Sequence, residues 1–230
     1  MTPPALVQRA LGVGLNVIAV TDHNAAGNAR AVRQAAAGSG LAVLPGIEVE
    51  TREGVHLLCL FDREEDALAM EREVWDHLPE MKNDPEAFGL QHFLNAAGQV
   101  TGECERLLLT GADLGVEEAA ARCENGGGLA LPSHVDRRAY GLLEVLGFMP
   151  PGFRPAAVEV SGRTSPEQAR ARYPSLGDTP LVYGSDAHCL ADVGKCPSLF
   201  RVAAATTDEL RLALAGREGR AYLGPACRMA

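Results

Sequence analysis

The chain has 230 residues, of which 47% are hydrophobic and 22% are charged. These values are typical of an ordinary globular protein and exclude disordered and fibrous classes, and the length favours one large domain. Lys and Arg total 21 and Asp and Glu total 30, which gives a formal net charge of −9. That charge disfavours a protein whose whole surface binds nucleic acid, so a phosphate-bearing ligand would need a bound metal or local arginines.

The sequence carries no apolar run near the roughly 20 residues that span a bilayer. Its first twenty residues lack a basic segment followed by an apolar stretch, the pattern of a secretion signal. We therefore expect no membrane-spanning helix and a cytoplasmic location. The glycine run at 126–128 precedes a strand instead of opening a helix, so we expect no bound dinucleotide cofactor.

In chain order, the first predicted element is a short helix that ends near Gly12. A β-branched run at 16–21 predicts the first strand, and an alanine-rich helix follows it. A second buried strand is predicted over 41–47 and is followed by Glu48. Residues 55–61 are predicted to form its hairpin partner. The chain thus begins in the manner of an α/β protein.

Residues 63–126 are predicted to form a mainly helical insertion, with helical pieces at 86–97 and 116–122. Strands and helices alternate again after it. This order predicts an α/β fold with a mainly parallel sheet, open or closed. The later predicted elements are strands at 128–132, 156–160 and 181–183, an apolar stretch at 198–204 and a helix at 207–216.

Polar side chains follow the predicted strands, and four of the six histidines lie at or beside strand ends. Because the carboxyl ends of parallel strands converge on one face, we expect these side chains to meet in one pocket. Imidazoles and carboxylates suit zinc, manganese or iron, and a bridging carboxylate lets two or three ions share a site. The converging residues are His23, Glu48, His134, Asp186 and His188, with His56 as the fourth strand-end histidine.

The remaining histidines and the serines are interpreted differently. His77 and His92 lie on predicted helices and are assigned to surface or packing roles. Ser133 and Ser185 adjoin histidines in sequence, but the chain has no Gly-x-Ser-x-Gly elbow, so a serine nucleophile is disfavoured. A single strand-end histidine is more often structural than a ligand, and only their coincidence predicts a multinuclear hydrolytic site.

Five motifs occur in a specific order: VIAVTDHNAAGN, VLPGIEVETREGVHLLCLF, LPSHVDR, AVEVSG and GSDAH. With them the chain resembles the polymerase and histidinol phosphatase (PHP) family of phosphoesterases over nearly its whole length. The resemblance implies a distorted (β/α)7 PHP-type barrel, taken as one domain over 1–230, that binds up to three divalent metals. It further implies hydrolysis of phosphate monoesters or diesters of small nucleotides or short oligonucleotides by metal-activated water.

The resemblance also implies a ligand set. Glu48, His56 and His134 would form one complete metal site, with Glu48 bridging toward a second ion. Asp186 would help to hold that second ion. His23 and His188 would serve the third.

Three further residues receive roles from the same resemblance. Asp22 would orient a ligand or accept a histidine N–H. Arg137 would reach a phosphate, or else pair with Asp136 at the surface. Glu159 would line the pocket or be a structural carboxylate at a strand end.

The chain departs from the family at its start, because no Asp-x-His-x-His motif precedes Thr21. We expect that the native protein starts upstream and that this chain lacks the first barrel strand; the alternative is a true variant with a damaged site. Fewer than three metals are then expected, and the open barrel edge would allow oligomers to form.

Two other functions compete with hydrolysis of phosphate esters. The barrel could be a non-catalytic binding or scaffold module with an incomplete metal site, which metal content would reveal. An amidohydrolase-type metal enzyme is disfavoured, because no lysine stands at a strand end to supply a bridging carbamate.

Overall fold

A computed structural model describes residues 1–226, so the last four residues of the domain predicted over 1–230 lie outside the described residues. Helices and strands alternate, and the α/β class is confirmed. The helices are α1 (Pro3–Gly12), α2 (Ala29–Ala35), α3 (Glu64–His77), α4 (Pro85–Phe88), α5 (Val116–Asn125), α6 (Leu142–Val145), α7 (Pro166–Arg172) and α8 (Thr207–Leu214). The strands are β1 (Val17–Val20), β2 (Ala42–Glu50), β3 (His56–Leu60), β4 (His92–Leu94), β5 (Val100–Glu103), β6 (Leu129–Pro132), β7 (Val158–Glu159), β8 (Leu181–Val182), β9 (Ser198–Arg201) and β10 (Ala221–Pro225).

The central sheet has the strand order β1-β2-β3-β6. β1 and β2 are parallel because helix α2 carries the chain back between them. β3 is antiparallel to β2, as its predicted hairpin role requires, because only a short turn near Gly54 joins them. β6 is antiparallel to β3, so β1, β2 and β6 point the same way. The expectation of mainly parallel pairing is wrong, since this hairpin strand lies between two strands of the opposite direction.

The remaining described strands form three two-stranded sheets. β7 and β8 are parallel, whereas β4–β5 and β9–β10 are antiparallel pairs. Within residues 1–226 the strand pairing therefore does not close a barrel, and β1 pairs with a strand on one side alone. The seven-stranded barrel stays a prediction.

The segment 63–126 contains three helices and the β4–β5 hairpin. The helix predicted over 86–97 is wrong beyond Phe88, because Gly89 leaves the helical region with φ +80°. A turn follows β4, in which the Asn95 side chain accepts the N–H groups of Ala97 and Gln99. His92 accordingly lies on a strand and not on a helix. That the segment is an insertion stays a prediction.

The largest core cluster packs β2 and β3 against α3 and α5. Ile47, Leu57 and Val74 are fully buried in it, together with Ala119. Truncating one such aliphatic side chain to alanine typically costs about 2–5 kcal/mol. This packing fixes the strands from whose ends the candidate site is built. None of the helices within residues 1–226 is long and apolar enough to cross a membrane.

Candidate metal centre

Three of the predicted ligands meet where β1, β2 and β3 lie side by side. His23 follows β1 and forms an isolated parallel bridge with Glu48 of β2. His56 begins β3, whose register places it opposite Glu50. One ligand atom from each of His23, Glu48 and His56 can be chosen so that all lie within 4.8 Å of one another. The sheet register therefore builds a group of two imidazoles and one carboxylate.

The four strand-end histidines form a continuous row of rings. Ring centroids are 5.7 Å apart for His188 and His23, and 5.1 Å apart for His23 and His56. His134, directly after β6, extends the row, with its centroid 5.3 Å from that of His56. The structure thus brings together histidines that lie up to 165 positions apart in sequence.

The Glu48 carboxylate lies against three of these rings. Its Oε2 is 3.2 Å from His23 Nδ1, and its Oε1 is 3.4 Å from His56 Nδ1 and 3.7 Å from His134 Nε2. Burial acts to raise the pKa of Glu48, but interactions with the His134 and His56 rings outweigh it and hold that pKa well below its ordinary value. Glu48 is therefore a buried, ionised carboxylate.

Two imidazole nitrogens of this group have no hydrogen-bond partner among the residues that the structure describes. They are His134 Nδ1 and His56 Nδ1, and both are fully buried; His56 Nδ1 faces Glu48 Oε1 at 3.4 Å without forming a hydrogen bond to it. A buried polar atom left unpaired costs about 1–3 kcal/mol, so such atoms call for an explanation. Imidazole nitrogens around a carboxylate suit a divalent cation, and the atoms that lie within 4.8 Å of one another belong to His23, Glu48 and His56.

The outer side of the row is formed by Asp186 and His188. His188 Nε2 lies 3.5 Å from His23 Nε2, and His188 Nδ1 lies 3.1 Å from the Asp186 carbonyl oxygen. The Asp186 carboxylate accepts a hydrogen bond from Arg137. Arg137 thus pairs with Asp186 and not with Asp136, which accepts hydrogen bonds from Ser161 and Thr164 instead.

The two remaining carboxylates of the prediction support the site without touching its centre. Asp22 accepts a hydrogen bond from Asn28, 2.9 Å away, and from no histidine within residues 1–226. Glu159 accepts the His134 backbone N–H at 3.3 Å. Burial raises the pKa of Glu159 to about 7, although His134 acts to lower it. Both residues line the same cavity, so Glu159 lines the pocket from the end of β7.

The two histidines kept out of the site lie elsewhere. His77 ends α3 and is half-buried, with its Nδ1 atom 2.7 Å from the Glu73 carbonyl oxygen. His92 lies on β4, where its carbonyl accepts a hydrogen bond from Asn28.

Sequence reasoning missed two residues at this site. Asn24 is fully buried, and its carboxamide donates to the carbonyls of Leu108 and Thr110. Tyr140 stacks on His56, with ring centroids 4.3 Å apart and ring planes 10° apart. Asn24 directly follows the Asp-His pair and could have been singled out there, whereas nothing in the sequence marks Tyr140.

Backbone strain is concentrated at the site. The described non-glycine residues with positive φ include Asn24 (48°), His134 (27°), Tyr140 (63°) and Asp186 (43°). Conformations of this kind cost about 1–3 kcal/mol each and persist where the surrounding structure fixes them, often at functional sites. The contacts around the strand ends therefore hold the backbone of these residues in conformations that would otherwise be unfavourable.

The site borders a cavity of about 1110 Å³, slightly above the usual range of about 300–1,000 Å³ for small-molecule pockets. Its lining includes the polar residues His23, Glu48 and Asp186 and apolar residues such as Leu60 and Leu131.

The chain matches no family model, and comparison with curated proteins gives no match. Solved structures do match it. The lesion-specific endonuclease PfuEndoQ from Pyrococcus furiosus superposes with a TM-score of 0.70 at 19% identity, over 99% of this chain and 54% of the endonuclease. A complex of endonuclease Q with a 27-mer duplex that carries an abasic lesion at the active site gives 0.68 at 18% identity, over 97% and 54%.

A protein from Bifidobacterium adolescentis, assigned as a metal-dependent phosphoesterase, matches with a TM-score of 0.56 at 19% identity, over 94% of this chain and 91% of that one. The chain spans about half the length of the endonucleases and nearly all of the phosphoesterase. At these identities the likeness establishes the fold. The chain shares the α/β fold of these proteins, which supports the PHP-type fold that its motifs imply.

Proposed function

We propose that the chain is a metal-dependent phosphoesterase with a PHP-type barrel, which hydrolyses mono- or diesters of nucleotides or short oligonucleotides. The observation that carries the proposal is the buried group of Glu48, His56 and His134, in which two imidazole nitrogens lack partners. The fold shared with a DNA endonuclease and a phosphoesterase supports it.

In this proposal Glu48, His56 and His134 hold one divalent ion, and His23, Asp186 and His188 contribute to further sites on the exposed side. The ion is zinc, manganese or iron, and we expect fewer than three per chain. A divalent ion bound there lowers the pKa of a coordinated water and stabilises negative charge on phosphate oxygens.

The side chains of the protein would supply the negative charge that holds the cation and the contacts to the phosphate. Glu48 stays ionised and supplies the buried negative charge that a cation needs. Arg137, partly exposed and bonded to Asp186, can exchange that carboxylate for a phosphate oxygen, which its planar guanidinium binds well. His188 Nε2 and His23 Nε2 lie 3.5 Å apart on the exposed side of the site, where both would contribute to the further metal sites.

Activity with added Mn²⁺ on a panel of nucleotides and short oligonucleotides tests the proposal. We expect hydrolysis by the wild-type chain and by His77→Ala, which removes a half-buried histidine outside the row. His134→Ala and Asp186→Ala should lose at least about tenfold, because they remove donors from its buried and exposed sides. Equal activity in all four proteins would refute the proposal.

Metal content separates hydrolysis from the scaffold alternative. A folded wild-type chain that binds no zinc, manganese or iron and hydrolyses nothing would favour the non-catalytic module. A cytoplasmic location and association of chains along the free edge of β1 are part of the same proposal and need separate measurements.

A further inference from the structure

Tyr140 is an aromatic residue in an unusual position beside the candidate metal centre. One face of its ring stacks on His56, nearly parallel, yet Tyr140 is 44% exposed. No second aromatic ring and no guanidinium stacks on it within residues 1–226. A flat π-surface therefore stands at the edge of the site in contact with solvent.

The backbone holds this ring where it is. The Tyr140 carbonyl accepts the His56 N–H at 3.0 Å, and the residue also bridges to Val55. Its φ of 63° is rare for a bulky side chain. The turn before it is tight, because a Cβ on Gly141 would lie 2.2 Å from the Arg137 carbonyl oxygen. Strain of this kind persists where the surrounding contacts enforce one placement.

Positive charge accompanies the ring. Arg137 and Arg138 occupy the same exposed turn as Tyr140, in a chain of net charge −9. Arg137 donates a hydrogen bond to the Asp186 carboxylate on the exposed side of the site. Exposed arginines in the same turn as a half-exposed aromatic ring suit a ligand with both a phosphate and a planar ring, since bases stack on aromatic side chains and arginine binds phosphate.

We propose that Tyr140 is a stacking platform for the base of a nucleotide whose phosphate lies at the metal centre. The inference rests on the proposed function and deepens it, because it makes the site selective for phosphate esters that carry a planar ring. The competing role is structural, in which Tyr140 merely shields His56 from water.

Adenosine 5′-monophosphate and ribose 5-phosphate are the probes, since they share the sugar and phosphate and differ in the base. We expect the wild-type chain to favour the nucleotide by roughly 5- to 150-fold in KM or Kd, the range that base stacking on an aromatic side chain provides. Equal affinity for both compounds would overturn the inference without any variant.

Variants then test whether Tyr140 causes the preference for the nucleotide. Tyr140→Ala and Tyr140→Leu should remove most of it by weakening the nucleotide alone, whereas Tyr140→Phe should retain it. Phe148→Ala, which removes another exposed aromatic residue, should have no effect. A loss of Mn²⁺ binding in the Leu variant, with both compounds weakened equally, would show the structural role and overturn the inference.

Calorimetric binding of both compounds, with and without Mn²⁺, separates this inference from the proposed function. If the wild-type chain hydrolyses neither compound yet binds the nucleotide more tightly through Tyr140, the proposed hydrolysis fails and the platform stands. If it hydrolyses both equally well, the hydrolysis stands and the platform fails.

Discussion

The two sides of the candidate metal centre differ in how they are built. Glu48, His56 and His134 have side chains only 4–7% exposed and are fixed by the central sheet. On the other side, the side chain of His188 is 67% exposed and Asp186 is bonded to an arginine. Donors on the buried side have no water to replace a missing partner, whereas those on the exposed side do. We infer that the buried side governs metal affinity and that the exposed side governs contact with the ligand.

The largest effect is expected from Glu48→Gln, which keeps the shape of the side chain and removes its charge. We expect Mn²⁺ affinity to fall at least about 100-fold, since loss of even an outer partner of a ligand costs about 10- to 100-fold. Calorimetric titration with Mn²⁺ measures this loss of affinity. Glu50→Gln, on the same strand, is the control and should change affinity little. Equal losses in the two variants would refute the central role of Glu48.

The second prediction concerns Asn24, which supports the buried side but is not one of the proposed metal ligands. Asn24→Ala leaves the carbonyls of Leu108 and Thr110 and the Glu50 N–H without their partners. At about 1–3 kcal/mol per unsatisfied buried group, partly relieved by relaxation, we expect the free energy of unfolding to fall by about 2–4 kcal/mol.

Urea unfolding of Asn24→Ala and Asn24→Gly measures that loss. The glycine variant removes the same hydrogen bonds but tolerates the positive φ, so it should be about 1 kcal/mol more stable than the alanine variant. A loss below about 1 kcal/mol in both would mean that Asn24 does not tie segment 63–126 to the site.

Arg137→Ala tests the exposed side. We expect KM for a nucleotide to rise about tenfold or more, because a charge-assisted hydrogen bond contributes about 1.5–3 kcal/mol, while Mn²⁺ affinity stays within about threefold. Steady-state kinetics and calorimetry check the two values. Arg52→Ala, which breaks a surface pair with Asp113, is the matched control. A change in metal affinity without a change in KM would reverse the assignment.

The smallest effect is expected from His188→Ala. Water can replace this exposed imidazole, so Mn²⁺ affinity should fall less than about tenfold, compared with at least about 100-fold for His56→Ala. Both are measured by the same titration. Similar losses for the two histidines would remove the distinction between the buried and exposed sides.

Much of the buried side could be predicted from the sequence. Strand ends are visible as β-branched runs followed by polar residues, and that pattern predicts Glu48 and His134 on the buried side, with His23 beside them. The alternation of strands and helices likewise gave the α/β class. These features are local, and hydrophobic periodicity reports them directly.

Asp186 and His188 on the exposed side follow the same pattern, but their contacts and the neighbouring Tyr140 could not be predicted in this way. The pairing of Arg137 with Asp186 joins residues 49 positions apart, and the stacking of Tyr140 on His56 depends on a strained turn. Neither has a local signal. The β4–β5 hairpin did have one, since Asn95 and Gly98 form a turn, but the alanines between them favoured a helix.

The left-handed backbone at Asn24, His134 and Asp186 has a consequence for engineering. Glycine would adopt these φ values without strain, so replacing His134 or Asp186 with glycine should recover part of the conformational energy while removing a donor. At His134 the cavity left by the buried imidazole would offset this gain, whereas Asp186 is only half-buried, so stability and function make opposing demands at Asp186. A selection for heat resistance alone would be expected to replace Asp186 before His134.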